Sequence, residues 1–353
     1  MDKKRANGVF WLLFWQKRSL FKHSSAGFPM VSAASTPENH RSAPDHFEWQ
    51  YLDLMQRIRE NGSERRDRTG VGTRSLFGAM MRFDLSDGRM PLITTKRVYW
   101  KTATREMLWF LTGDTNIRVL LEQGVRIWSD WPLAHYREVT GLEISQDAFE
   151  RRIVEDTAFA AKWGDLGPVY GKQWVDWPSF EPVDESSGEG LFRRGNGINQ
   201  VAQVVESLKN NPGSRRHIIE GWNVAELERM ALPPCHKTYQ FHVAEGRLNG
   251  LLYQRSCDVA LGLPFNLWSA ALLQRMLAQQ TGLEPGEFVW MGGDVHLYLN
   301  HEALVKEQLS REPAGIPRLE IKRQPESIFD YRIEDFEVTG YEPKGAIKAP
   351  IAV

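Results

Sequence analysis

The sequence predicts an α+β fold, and three observations lead there. Apolar residues recur at helical spacing in some stretches and at strict alternation in others. The two kinds of stretch do not succeed one another as regular βαβ units. One segment, 266–281, is apolar on nearly every face and reads as a helix lying at the centre of a fold. The 353 residues suffice for one large or two ordinary domains.

In chain order, Phe47, Tyr51, Leu54, Met55 and Ile58 recur as one helical face, and Asn61-Gly62 closes the pattern. Phe77, Ala79, Met81, Phe83 and Leu85 then alternate, predicting a strand with one buried face and a turn at Asp87-Gly88. Residues 103–122 return to helical spacing, broken at Gly113-Asp114-Thr115, where Thr115 is the expected N-cap of a second helix ending at Gly124. Two stretches, 132–163 and 176–199, read as long loops: the first is charged and irregular, the second rich in Pro, Ser and Gly. Strands are expected at 216–222, 237–244, 247–258 and 286–291, with short ones around 317–323 and 332–338.

Composition narrows the class. An apolar share of 42% supplies a large core, and 44 basic against 45 acidic residues leave a net charge of −1. The electrostatic footprint of a nucleic-acid or membrane-surface protein is therefore missing, and an anionic ligand must be met by a few local cations. Cys235 and Cys257 are too few for a disulfide framework or a thiolate zinc site, and nine histidines show no metal-ligand spacing, so no metal is expected and the compartment is read as reducing. The longest apolar run, 9–15, falls far short of the roughly 20 residues that cross a bilayer. It follows a basic opening and imitates a signal peptide, but no convincing cleavage site follows it, and a short targeting segment is the lesser reading. Residues 1–45 read as a poorly ordered extension, with Met30 an alternative first residue, and 46–353 as the domain.

Several residues stand out chemically. Cys235 follows Pro233-Pro234 at the mouth of a strand whose odd positions Tyr239, Phe241 and Val243 are apolar; alternation places it on that buried face and His236 on the opposite one. A nucleophilic thiolate there needs a neighbouring cation rather than its sequence neighbour. Gln254-Arg255-Ser256-Cys257-Asp258 puts five polar or reactive residues in one strand, read either as an exposed edge or as a strand facing a phosphate. Arg68 in a Gly-rich loop and the pair Arg215-Arg216 after a turn add guanidiniums for one dianion. Trp128 and Trp131, three apart, offer a stacking wall for a flat heterocycle, although core packing explains most tryptophans.

Seven segments, taken in order, resemble the thymidylate synthase family: Arg68-Thr69-Gly70, Glu106-Met107-Leu108-Trp109-Phe110-Leu111, the stretch 164–171 (GDLGPVYG), Pro234-Cys235-His236, Gln254-Arg255-Ser256-Cys257-Asp258, Leu263-Pro264-Phe265-Asn266 and Gly293-Asp294-Val295-His296-Leu297-Tyr298. The likeness runs from about Tyr51 to Val353 and includes the ending IKAPIAV. It implies a cytoplasmic α+β enzyme with a mixed sheet packed by helices. The resemblance further implies a homodimer formed through that sheet, and the conversion of dUMP to dTMP with 5,10-methylenetetrahydrofolate as cosubstrate and dihydrofolate as product.

Carried over by resemblance, Cys235 is the nucleophile toward uracil carbon 6 and Arg255 the cation beside it. Arg68, Arg255 and Ser256 hold phosphate, and Arg215 with Arg216 reach across the dimer. Asn266 reads the pyrimidine, while His296 and Tyr298 hold the sugar hydroxyl. Glu106 and Tyr170 move protons. Lys96, Trp128, Trp131, Asp258, Ala352 and Val353 fall on the folate side. Two departures stand out: Ser129 occupies a position where the family carries an acid, with Asp130 one place later, and 132–163 is longer than in compact members. The rival readings are a dUMP or dCMP hydroxymethylase on the same scaffold and a noncatalytic nucleotide- or RNA-binding regulator; the near-zero net charge gives RNA binding no support.

Overall fold

A computed structural model describes residues 46–66, 70–183, 192–348 and 350, all within the compact unit Asp45–Val353. The expectation for residues 1–45 lies outside the described residues. Helix α1 (Glu48–Asn61) buries Tyr51, Leu54, Met55 and Ile58, as their spacing predicts. Its first residue, Glu48, is fully buried, and its carboxylate accepts from the Thr94 and Thr95 amides and the Thr94 hydroxyl, at 2.7 to 2.8 Å. A carboxylate at a helix N-terminus with three donors is compatible with burial.

Strands β1 (Ser63–Arg65) and β2 (Thr73–Asp84) follow, and then helix α2 (Trp100–Thr112) and short α3 (Arg118–Glu122). Two expectations fail locally. Phe77 is 88% exposed rather than inward, next to Gly78 at φ 85°, a conformation that interrupts regular alternation. Thr115 is not the N-cap of α3; the side chain of Asn116 accepts from the Arg118 amide instead, and Asn116 in turn is held by Asp114.

The region whose charge suggests a loop, 132–163, is helical: α4 (Asp130–Thr140), α5 (Gln146–Glu155) and α6 (Thr157–Trp163). Their charged residues are the outer face of a small aromatic cluster in which Tyr136 packs against Phe149, Phe159 and Trp163 at 5.0 to 5.6 Å between ring centres. Ser145 and Asp156 cap α5 and α6 through their side chains. Helix α7 (Tyr170–Val175) leads to the exposed hairpin β3 (Phe180–Pro182) and β4 (Phe192–Arg194), whose tip lies outside the described residues.

Helix α8 (Gln200–Asn210) precedes β5 (Ile218–Glu220), β6 (His236–Ala244), β7 (Arg247–Asp258), central helix α9 (Leu263–Thr281) and the long β8 (Glu284–Tyr298). Helix α10 (Glu302–Leu309) and the pair β9 (Arg318–Ile321) and β10 (Phe336–Thr339) complete the chain. The main sheet runs β1-β2-β8-β7-β6-β5, antiparallel except for the parallel pair β7 and β8. It is the mixed sheet of an α+β domain. Strand β7 sits near its middle, so its polar residues do not lie on an exposed edge.

Register sorts the two faces. Met81, Trp290, Leu252, Tyr239 and Ile219 form one row across the sheet, each no more than 2% exposed, beneath helices that include α9. On the opposite face Met80, Met291, Tyr253, Val289, Leu251 and Ile218 fall in adjacent rows, with Met80 55% and Ile218 40% exposed.

Candidate active site

Cys235 lies at the entrance of β6, half-buried, and its amide donates to the Tyr170 hydroxyl at 2.8 Å. That bond uses an acceptor lone pair of Tyr170 and leaves its O–H proton free to point elsewhere. Tyr170 is the first residue of α7 and stacks on Phe110 of α2 at 4.9 Å. Gly171 permits the approach, because a Cβ there would strike the Phe110 backbone. Burial, reinforced by Cys235, pushes the Tyr170 phenol well above its ordinary value and keeps it neutral.

The same helix α2 delivers Glu106, which is 7% exposed and accepts from Trp128 Nε1 at 2.7 Å. Burial raises its carboxyl from an ordinary 4.5 to about 7, partly offset by that hydrogen bond. A carboxyl held there exchanges protons readily at neutral pH. Trp128 packs edge-on to Tyr170 at 5.8 Å and lies 5.3 Å from Trp131, so the proton-handling groups and the tryptophan wall form one surface. Between the two tryptophans, Ser129 is 1% exposed and its Oγ has no partner among the described residues.

Arg255 on β7 is bound to the chain around the thiol. Its amide donates to Cys235 O at 2.9 Å, its Nε to Pro234 O at 2.8 Å and its Nη2 to Pro233 O at 2.7 Å. The prolines thus supply carbonyl acceptors as well as a fixed approach to Cys235. The other cysteine, Cys257, is 1% exposed, and burial pushes its thiol well above the ordinary value, leaving it inert.

His236 departs from expectation. A register shift between His236 and Thr238 marks a bulge, so His236 is buried with the inward residues, edge-on to Tyr170 and Tyr239. Burial lowers its imidazole to about 4, and a hydrogen bond with Asn266 opposes that change. Asn266, on the first turn of α9, accepts from Gln254 Nε2 at 2.8 Å, and Gln254 Oε1 accepts from Trp290 Nε1 at 2.9 Å. Trp290 can only donate, so its indole sets the orientation of both amides in turn. Nothing in the local sequence singles out His236 or Trp290 for the site. Gln254 carries one usable signal, the cost of burying an amide in an apolar strand.

Along β7 and β8, Ser256 stands opposite Asp294 and Asp258 opposite His296. His296 Nδ1 lies 3.1 Å from Asp294 Oδ1, and its ring meets Tyr298 edge-on at 5.4 Å. Asp258 Oδ1 accepts from the Ala260 and Leu261 amides at 2.9 and 3.1 Å, leaving Oδ2 uncommitted by that turn. Lys96 is buried, with its ammonium on Ala260 O, and burial lowers it to about 8 against the pull of Asp258. Arg68, Ala352 and Val353 lie outside the described residues.

Arg215 and Arg216 are not brought to Cys235. Both are exposed, and among the described residues neither forms an ion pair. The Phe241 amide donates to His217 O at 2.9 Å, which places the arginine pair beside the far part of β6. Six residue steps along the chain separate Phe241 from Cys235, about 20 Å when extended.

Comparison with known proteins fits this arrangement. The family model described as thymidylate synthase matches residues 49–353. The chain belongs to the thymidylate synthase family. The thymidylate synthase of Novosphingobium aromaticivorans is 74% identical over 314 residues, covering 89% of this chain and 99% of the relative. Those of Sphingopyxis alaskensis and Rhizorhabdus wittichii are 66% and 63% identical over 310 residues each, covering 87% and 88% of this chain and 98% and 99% of the relatives.

Proposed function

We propose that this chain is a methyltransferase that converts dUMP to dTMP through a covalent bond from Cys235 Sγ to uracil carbon 6. Family membership supports the overall reaction. The observation that carries the chemistry is the joining of Cys235, Tyr170, Arg255 and the Glu106–Trp128 pair at the mouth of β6. Addition of the thiolate at carbon 6 pushes the electron pair of the 5,6 double bond toward the carbon 4 carbonyl and makes carbon 5 nucleophilic. 5,10-Methylenetetrahydrofolate supplies the one-carbon unit and the hydride and leaves as dihydrofolate.

Each residue then has a physical task. Arg255 stabilises the thiolate and, with Ser256 and Arg68, the phosphate. Glu106, poised near neutrality, exchanges protons at carbonyl oxygen 4 through water, and the neutral Tyr170 phenol lies toward the proton leaving carbon 5. Asn266 offers both an acceptor and a donor to the N3–H and O4 edge of uracil, while His296 and Tyr298 face the sugar. The folate side fits a reduced pterin and its aryl group: Trp128 and Trp131, tilted 45° to each other, supply apolar ring surface, and the second oxygen of Asp258 accepts from ring N–H groups. Lys96 steadies the Asp258 turn through Ala260. Ala352 and Val353 are assigned to the cosubstrate by family resemblance alone. Asn266 also favours uracil over cytosine, against a dCMP hydroxymethylase.

We further propose a homodimer through the open sheet face. The half-exposed Met80, Met291 and Ile218, in adjacent rows, give that face an apolar surface to bury, and the arginine pair, too far from its own Cys235, serves the partner's pocket. No described helix is long and apolar enough to cross a membrane, and the two cysteines are thiols rather than a disulfide, which supports a reducing cytoplasm. The test is an incubation with dUMP and methylenetetrahydrofolate followed by separation of products. dTMP with equimolar dihydrofolate is expected; 5-hydroxymethyl-dUMP without dihydrofolate overturns the reading in favour of the hydroxymethylase.

A further inference from the structure

The guanidinium of Arg255 is held along one edge and sits over an aromatic ring. The edge carries the bonds to Pro233 O and Pro234 O, and the guanidinium carbon lies over the ring of Trp222, 5.1 Å from Cζ to the ring centre. Of five guanidinium N–H groups, the prolines occupy one on Nε and one on Nη2, which leaves both on Nη1 and one on Nη2. Two bonds along a single edge still allow the plane to rock. A ring beneath the cation limits that freedom and adds attraction between cation and π-face.

Trp222 is itself braced. Its amide donates to Glu220 Oε1 at 2.9 Å, and the other carboxylate oxygen accepts from Thr238 Oγ1 at 2.7 Å and Lys237 Nζ at 3.1 Å. The preceding Gly221 donates to Lys237 O at 2.8 Å and packs so closely that a Cβ would sit 3.3 Å from His236 O and 3.4 Å from Pro234 Cβ. The following Asn223 is buried, and its amide donates to Gln173 and Glu226, both at 3.1 Å. The segment carrying Trp222 is therefore tied to the start of β6 and packed against the diproline.

We infer that Trp222 is a positioning residue that fixes the plane of Arg255 so that its three remaining N–H groups face the thiol and the phosphate. This rests on the role given to Arg255 above. A tryptophan that merely filled space would affect stability alone. One that sets the guanidinium affects phosphate recognition and thiol ionisation together, and leaves recognition of the nucleoside alone.

The experiment compares Trp222→Leu, Trp222→Phe and Arg255→Ala in the full chain by two readouts. The first is the ratio of equilibrium affinities for dUMP and deoxyuridine, which differ by the phosphate. The second is the pH midpoint of Cys235 alkylation by iodoacetamide, followed by peptide mass spectrometry. Trp222→Leu is expected to weaken dUMP about five- to tenfold with deoxyuridine unchanged, and to move the midpoint up by about half a pH unit; Trp222→Phe, which keeps a π-face, restores most of both. A folded Trp222→Leu with the wild-type ratio and midpoint overturns the inference. If that variant does not fold, a polyfluorinated tryptophan placed at 222 keeps the shape and weakens the π-face, and an unchanged ratio there overturns it equally. Arg255→Ala separates the two levels. If it moves neither readout, the role of Arg255 fails; if it moves both and the Trp222 changes move neither, only the positioning role fails.

Discussion

Replacing Glu106 by Gln tests the electrostatics of the site through stability. The carboxyl is buried, and burial raises it from 4.5 in an ordinary setting to about 7. A raised carboxyl favours the folded state fully below 4.5, and that contribution is lost as pH climbs through the folded value. Between those limits the wild type gives up about 3 kcal/mol, since each tenfold change in proton affinity corresponds to about 1.4 kcal/mol. Glutamine is isosteric, accepts the Trp128 N–H through its carbonyl and does not ionise. Glu106→Gln is therefore expected to gain on the wild type by about 2 to 3 kcal/mol between pH 5 and pH 8.5 while losing most turnover. Denaturant unfolding of both proteins at the two pH values, at one fixed protomer concentration, measures the change. A stability difference that stays constant across the interval refutes the buried, poised carboxyl.

Three further outcomes are expected. Asn266→Asp shifts the kcat/KM ratio toward dCMP, because a carboxyl matches the cytosine edge better than an amide; an unchanged ratio removes Asn266 from base reading. Refolding an equal mixture of Arg215→Glu/Arg216→Glu and Cys235→Ala chains, each nearly inactive alone, restores about a quarter of wild-type activity, since half the dimers are mixed and each can hold one intact pocket. No recovery, with mixed dimers confirmed by native mass spectrometry, rules out the shared pocket. Removing residues 1–45 leaves the melting temperature and turnover nearly unchanged; a large loss of either shows that the segment supports the domain.

What the sequence makes legible follows the strength of each local pattern. The α9 helix announces itself by apolar residues on nearly every face, strand β6 by the alternation of Tyr239, Phe241 and Val243, and Cys235 by its place at the mouth of that strand. Helices α4 to α6 do not, because each is short and the charged residues of α5 interrupt the apolar spacing that Tyr136, Phe149, Phe159 and Trp163 share across three separate elements. Strand β8 runs to Tyr298 rather than ending near 291, since Gly292-Gly293 looks like a turn while the register with β7 continues past it. Alternation assigns His236 to the wrong face because it cannot reveal a bulge. The relay from Trp290 through Gln254 to Asn266 joins residues on three elements, so the polar character of Gln254 signals a need for partners but not which residues supply them.

The central claim is that Cys235 bonds covalently to the pyrimidine. 5-Fluoro-dUMP tests it most directly, because fluorine at carbon 5 cannot leave as the proton does, and the reaction stops with the thioether in place. Incubated with 5-fluoro-dUMP and methylenetetrahydrofolate, the protein is expected to form a stable complex whose adduct maps by peptide mass spectrometry to Cys235 alone. An adduct on Cys257, or none on either cysteine, contradicts the account.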